Sequence, residues 1–228
     1  METTILNNNS DTKYIAFFDL DRTLIRTNSG RTIIKEAYSH KLLSRSEILK
    51  AYSLSLLFRL KLLKPTRVIS SMLSWIKGIS LEKMTDLSNE IFKDKLISTL
   101  YSEVNEEIRF HKQLGAKVVI LSSAILPVCK IIADHLMMDD IICTELETES
   151  GFYTGKPLGK FCFGNEKPVR LMQFCLEFSV NPSDSWYYGD SISDFPALCE
   201  VGFPVCINPD RKLKKEAISR GWKILAWH

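Results

Sequence analysis

YIAFFDLDRTLI, Tyr14 to Ile25, is the stretch on which the reading of this chain turns. An apolar run, Tyr14 to Phe18, ends abruptly in Asp19-Leu20-Asp21, with Arg22 and Thr23 directly behind. Such a run reads as a strand buried in a parallel sheet. In an extended chain residues i and i+2 point to the same side, so Asp19 and Asp21 share one side of the strand's end. Two carboxylates gathered there need a cation, a proton, or a reaction that uses both. Alone, a surface Asp-x-Asp turn would explain them as well. Three further stretches decide otherwise.

The second stretch is VVILSSA, where another apolar strand ends in Ser122, followed by Ser123 and Ala124. A strand-terminal hydroxyl beside backbone N–H groups at a helix entrance suits a phosphate oxygen; a serine N-cap is the alternative. The third is WYYGDSISDFPAL, in which strand residues lead to Gly189, read as a tight turn, and then to Asp190 and Asp194. Two carboxylates at that spacing match a Mg²⁺ site, since this ion takes oxygen ligands from one or two carboxylates plus a substrate phosphate. The triplet GDS also raises a serine esterase with Ser191 as nucleophile, but only His228 follows it where such an enzyme needs a downstream Asp-x-x-His. The fourth is GNEKPVRL, which sets Lys167 at the start of a helix, where an ammonium neutralises phosphate and keeps a neighbouring carboxylate ionised. Lys156, in a hairpin sequence, competes for that role.

Around these motifs, short apolar runs at Tyr14–Phe18, Lys117–Leu121, Asp140–Cys143, Trp186–Tyr188 and Pro204–Ile207 alternate with helical patterns, and Trp222–Ala226 reads as an edge strand. The helices are Leu126–Leu136, Lys167–Phe178, Phe195–Glu200 and Arg211–Arg220. This alternation predicts an α/β fold, a doubly wound parallel sheet with right-handed crossovers, whose ligands sit beyond the carboxyl ends of the strands. Between the first two strands the pattern is helical throughout, with Ile33–Leu43, Ser46–Leu62, Pro65–Ile76, Leu81–Phe92 and Leu96–Leu114 as amphipathic segments. One crossover helix would be enough. The excess predicts a helical cap over residues 28–98, inserted after the first strand into a core of residues 1–27 and 99–228. LETESGFYTGKPLG, with Gly151 and Gly155, predicts a β-hairpin.

Composition narrows the function further. The 228 residues are 45% hydrophobic with net charge +3, too mild a balance to argue for nucleic acid. The basic runs Arg59–Arg67 and Arg211–Lys215 read as solvated helix faces and ends. No window approaches the ~18–20 apolar residues of a membrane span. METTILNNNSDTK reads as a polar leader rather than a signal peptide. Six cysteines without CxxC or Cys/His pairing point to reduced thiols and a cytoplasmic setting.

Taken together, these motifs resemble the haloacid dehalogenase superfamily of phosphohydrolases. FFDLDRTL is similar to its Asp-x-Asp-x-Thr motif, Ser122 to the second, Lys167 to the third and GDSISD to the fourth, in the same order and strand context. The insertion after motif one, with ETESGFYTG, CFGNEKPVRL and VGFPVCINPD, resembles the phosphoserine-phosphatase-like branch. The resemblance implies a Rossmannoid core and Mg²⁺-dependent hydrolysis of a small phosphomonoester. Asp19 would be the nucleophile and Asp21 the general acid and base. The metal would be held by Asp19, Asp190 and the Asp21 carbonyl, with Asp194 supporting from behind. Ser122, Ser123 and Lys167 would bind the phosphoryl oxygens, and Thr23 would steady the loop by hydrogen bonding. Arg22 departs from the family's usual glycine. Asn28 stands where phosphoserine phosphatases carry a glutamate, and Ser193 where they carry asparagine; both weaken phosphoserine as substrate. Asn28, Arg59 and Arg67 are the candidate specificity contacts of the cap, and the apolar Leu54–Leu63 leaves a lysophospholipid open. A phospho-acceptor signalling domain would lack the insertion and the late GDxxxD, and an idle phosphate-binding protein need not retain both Asp19 and Asp21.

Overall fold

The computed structural model describes residues 12–46, 49, 53 and 73–228. Arg59, Arg67 and the Leu54–Leu63 segment lie outside the described residues. Six parallel strands form one sheet: β1 (Tyr14–Phe18), β2 (Ala116–Ile125), β3 (Asp140–Thr144), β6 (Trp186–Gly189), β7 (Phe203–Ile207) and β8 (Lys223–Leu225). Their order is β3-β2-β1-β6-β7-β8, with β1 between β2 and β6. The strand order reverses direction at β1, and the carboxyl end of the sheet there is where doubly wound folds bind ligands. This is the α/β architecture expected of the alternating pattern.

β1 reads as a continuous apolar run because both of its faces are covered. Ala16 and Phe18 join one buried cluster, with Val104, Ile108, Val128 and Ile132; Ile15 and Phe17 join the other, with Leu171, Leu213 and Ala217. The helices behind these residues are α3 (Val104–Gln113) and α4 (Leu126–His135) on the first face. On the second lie α5 (Glu166–Glu177) and α7 (Arg211–Arg220), with the short α6 (Phe195–Leu198). At ~25 cal/mol per Å² of apolar surface, the fully buried Ile15, Phe17 and Phe18 side chains each stabilise the fold by about 1.5–3 kcal/mol.

A polar chain crosses the first face. Tyr188 donates its hydroxyl hydrogen to Glu107, so His111 donates Nε2–H to the Tyr188 oxygen (2.7 Å) and accepts at Nδ1 from Tyr14 (2.9 Å). Burial, with Lys223 nearby, pushes the His111 pKa down to about 4, which keeps the ring neutral. Phe18 stacks on Tyr188 at 4.3 Å and 6°. Network and stack together clamp β1 to β6.

The insertion begins with α1 (Ser29–Ser39) and includes α2 (Leu81–Ile91). Ile33, Ala37, Met84, Leu87 and Ile91 belong to the same buried cluster as Val104 and Ile132, so the described part of the insertion shares the core of the sheet. Its two ends meet: Ile25 bridges Leu100 antiparallel, Arg26 N–H donates to Thr99 O (2.8 Å) and Tyr101 N–H to Leu24 O (3.2 Å). That pairing corrects the expected helix Leu96–Leu114. The chain instead runs through a π turn at Phe92–Leu96 and a 3₁₀ turn at Ile97–Thr99, extends to pair with Ile25, and only then forms α3.

The expected hairpin is present as β4 (Leu146–Glu149) and β5 (Phe152–Pro157). Its two-residue turn, Ser150 (φ 51°) and Gly151 (φ 83°), has the doubly left-handed backbone that matches strand twist. β5 is also bonded to the insertion. Gly78 N–H donates to Tyr153 O (2.8 Å), Tyr153 N–H to Ile79 O (2.9 Å) and Leu81 N–H to Gly151 O (3.1 Å). No helix among the described residues is long and apolar enough to cross a membrane.

Candidate active site

Asp19 is the first residue past β1, and its N–H donates to Tyr188 O (2.9 Å), so pairing with β6 fixes where the side chain starts. The carboxylate is buried. Lys167, in the first turn of α5, crosses to it beneath the sheet end: Nζ donates to Asp19 Oδ1 (2.7 Å), Asp194 Oδ1 (2.6 Å) and Tyr187 OH (3.1 Å). An ammonium has three N–H bonds, and all three are used. A phosphoryl oxygen would reach Lys167 only by replacing one of these acceptors.

Asp194 is fully engaged. Its Oδ1 also accepts from Tyr187 OH (2.9 Å), and its Oδ2 accepts from Ser191 N (3.2 Å) and Ser191 Oγ (3.1 Å). Asp19, Asp190 and Asp194, all buried, each bring one carboxylate oxygen within 4.8 Å of the others. Three hard oxygen donors fit Mg²⁺ by chemistry. With the Asp194 oxygens spent on Lys167, Tyr187 and Ser191, the donors left for an ion are those of Asp19 and Asp190. Gly189 makes this approach possible by close contact rather than by a turn, since its φ is not left-handed: a Cβ there would lie 2.8 Å from Asp194 Cβ and 3.0 Å from Tyr187 Cε1.

Asp21 sits apart from that cluster, turned toward the insertion. Its Oδ2 accepts from Asn28 Nδ2 (2.6 Å) and its Oδ1 from Ser29 N (2.8 Å). Asn28 is the N-cap of α1, with Oδ1 accepting from Arg31 N (2.9 Å). The residue expected as a specificity contact therefore uses both ends of its amide internally, one on the helix and one on Asp21.

Ser122 is buried within β2, which runs on to Ile125 and straight into α4. The N-cap of α4 is Ile125, with no side-chain bond, so the N-cap alternative for Ser122 does not hold. Ser122 Oγ has one long contact, from Ala124 N at 3.4 Å. Half-buried Ser123 offers its carbonyl to Thr144 Oγ1 (3.0 Å). Both serines follow the β1–β2 pairing, which closes at Phe18↔Ile120, and so lie at the same sheet end as Asp19. Thr23 overturns one expectation: its Oγ1 is buried and has no hydrogen-bond partner among the described residues, so only its backbone N–H, donated to Leu20 O at 3.3 Å, steadies the loop. Arg22 is exposed with φ 64°, the left-handed region where glycine is at ease and a side chain costs about 1 kcal/mol. Lys156 lies exposed on β5, which leaves Lys167 as the site lysine.

Charge is concentrated here beyond what one lysine balances. Burial, then the neighbouring Asp194 and Asp21 charges, push Asp19 up to about 7 against the opposing pull of Lys167. Burial with Asp19 and Asp194 pushes Asp190 up to about 8, opposed by Arg22 and Lys167. Burial raises Asp21, while the bonds from Ser29 and the charges of Lys167 and Arg22 hold it down. Burial disfavours the Lys167 charge, yet Asp19 and Asp194 hold its pKa well above the ordinary value. Such a site favours a divalent cation. Sequence reasoning missed Tyr187, whose only signal was a phenol in a strand otherwise buried on both faces.

The family described as haloacid dehalogenase-like hydrolase matches residues 16–198. A histidinol-phosphatase of Neisseria meningitidis is 29% identical over 226 residues, covering 93% of this chain and 98% of the relative. A phosphoserine phosphatase of Mycobacterium tuberculosis is 25% identical over 213 residues, covering 92% and 69% respectively. A Bordetella pertussis protein of unknown function, solved by crystallography, superposes with TM-score 0.85 at 25% identity, covering 94% of this chain and 98% of that one.

Proposed function

The chain belongs to the haloacid dehalogenase-like hydrolase family, and from that premise we propose that it is a Mg²⁺-dependent phosphatase of small phosphorylated metabolites, working through a phosphate ester of Asp19. One observation carries the reading: a buried aspartate at a strand end, paired to a buried lysine, with a second carboxylate within ligand distance and a third supporting both.

An Asp19 carboxylate oxygen attacks phosphorus, and the ester P–O bond breaks. The leaving alkoxide takes its proton from Asp21, whose burial favours the protonated form. Asp21, now ionised and held by Asn28 and Ser29, takes a proton from water, which attacks the same phosphorus. The P–O bond to Asp19 breaks, inorganic phosphate leaves, and the carboxylate is restored. Lys167 fixes Asp19 throughout, and Ser122 offers its hydroxyl to a phosphoryl oxygen. Mg²⁺, held by Asp19 and Asp190 with the Asp21 carbonyl, would supply charge stabilisation for the transferring phosphoryl group. Residues 28–98 act as the cap, rooted at the Ile25–Leu100 bridge.

Phosphoserine is not the favoured substrate. Asn28 lacks the carboxylate that would meet its amino group, and the amide is already committed to Asp21 and Arg31. The test is phosphate release from p-nitrophenyl phosphate and a panel of phosphorylated metabolites. Activity should need Mg²⁺ and vanish in Asp19→Asn; turnover unaffected by excess EDTA would contradict the metal.

A further inference from the structure

We infer that Asp210, between the end of β7 and the start of α7, is a positioning residue for the divalent ion, acting through the Asp190 loop; this rests on the reading that Asp19 and Asp190 hold Mg²⁺. β7 ends at Ile207, and Asn208 turns the chain with φ 42°, a conformation asparagine tolerates better than most residues. Asp210 then stands between two elements. Its N–H donates to Asp190 O at 2.7 Å. Its carboxylate divides its work: Oδ1 accepts from Lys212 N and Leu213 N, both at 2.8 Å, capping α7, while Oδ2 accepts from Ile192 N at 3.0 Å. The main chain on both sides of Ser191 is thus tied to the start of α7, and Ser191 is the residue that donates twice to Asp194. Through these bonds Asp210 sets where the loop carrying Asp190 can lie.

Only a carboxylate performs both tasks, because it has two oxygens that accept and never donate. Asparagine keeps one accepting oxygen for the cap but turns an NH₂ donor toward the Ile192 N–H. Serine caps a helix well but has a single, shorter oxygen. Asp210→Asn and Asp210→Ser therefore separate the loop bond from the cap, and Asp210→Ala removes both.

The experiment is calorimetric titration of the metal-stripped, full-length protein and its variants with Mg²⁺ in the absence of substrate, alongside thermal unfolding in EDTA. Asp210→Asn and Asp210→Ser should unfold close to the wild-type temperature yet bind Mg²⁺ about tenfold more weakly, the usual scale for residues that orient metal ligands. Asp210→Ala should show the same loss of affinity with a lower unfolding temperature as well. Asn and Ser variants whose affinity stays within about twofold of wild type would overturn the inference and leave the metal reading standing. A wild-type protein that takes up no Mg²⁺ would overturn both.

Discussion

Lys167 spends its three N–H bonds on Asp19, Asp194 and Tyr187 at the base of the site. Replacing it with methionine leaves two buried carboxylates without their cation, a loss of about 3–5 kcal/mol in the metal-free protein when the groups are charged. Denaturant unfolding in EDTA should show that loss near pH 8 and a smaller one near pH 5, where Asp19 holds a proton. Asn28→Ser tests the other end of the loop. Serine keeps the cap of α1 within a few tenths of a kcal/mol but cannot donate to Asp21 as the amide does. Turnover should fall several-fold with little change in unfolding temperature; an unchanged kcat would remove Asn28 from the control of Asp21. Thr23 and Arg22 show what residue-level reading leaves out. That a threonine hydroxyl finds no partner among the described residues, or that an arginine sits at φ 64°, depends on the fold of the loop and not on the identity of either residue.

Elements were legible where one physical signal dominated. β1, β3, β6 and β7 are short apolar runs because the sheet is covered on both faces, and α7 is bracketed by Asp210 at its N-cap and left-handed Gly221 at its end. The expected helix Leu96–Leu114 failed because its first third is claimed by pairing with Ile25, a contact across the whole insertion that no local window contains. The docking of β5 on residues 78–81 was hidden for the same reason. It leads to a prediction: Gly151→Ala places a side chain at φ 83° and strains the hairpin turn by about 1–2 kcal/mol. Hydrogen exchange should quicken at the Gly78, Leu81 and Tyr153 amides and stay unchanged along β1. Protection of those three amides equal to wild type would show that the hairpin does not hold the insertion.

At the scale of the molecule, the sheet order places Asp19 just past β1, Asp190 just past β6 and Ser122 within β2, three adjacent strands, so groups remote in sequence meet at one end. The motifs announced this convergence because each stands at the end of an apolar run. The shared core of sheet and insertion was not announced, since amphipathic spacing tells which face is buried but not against what. The acidic cluster also sets a pH dependence. Asp19 near 7 and Asp190 near 8 lie above their ordinary value of 3.8, so between those limits the metal-free native state binds more protons than the unfolded chain. The stability these groups contribute is present in acid and is lost as pH rises through 7 to 8. Mg²⁺ needs the ionised carboxylates, so its binding strengthens over the same interval. The difference in unfolding temperature between Mg²⁺ and EDTA should widen from about pH 6 to about pH 8.5. A gap that narrowed would mean that these carboxylates are not the ligands.

Peptide mass spectrometry of a trapped phosphoenzyme tests the chemistry most directly. Asp21→Asn protein, mixed with p-nitrophenyl phosphate and Mg²⁺, quenched and reduced with borohydride, should carry homoserine in place of Asp19. A good leaving group needs no acid, while release of phosphate from Asp19 needs the missing base. The modification should be absent with EDTA and absent in Asp19→Asn. Label on another residue, or full turnover by the Asp21→Asn protein with Asp19 never modified, would contradict the assignment of Asp19 as nucleophile.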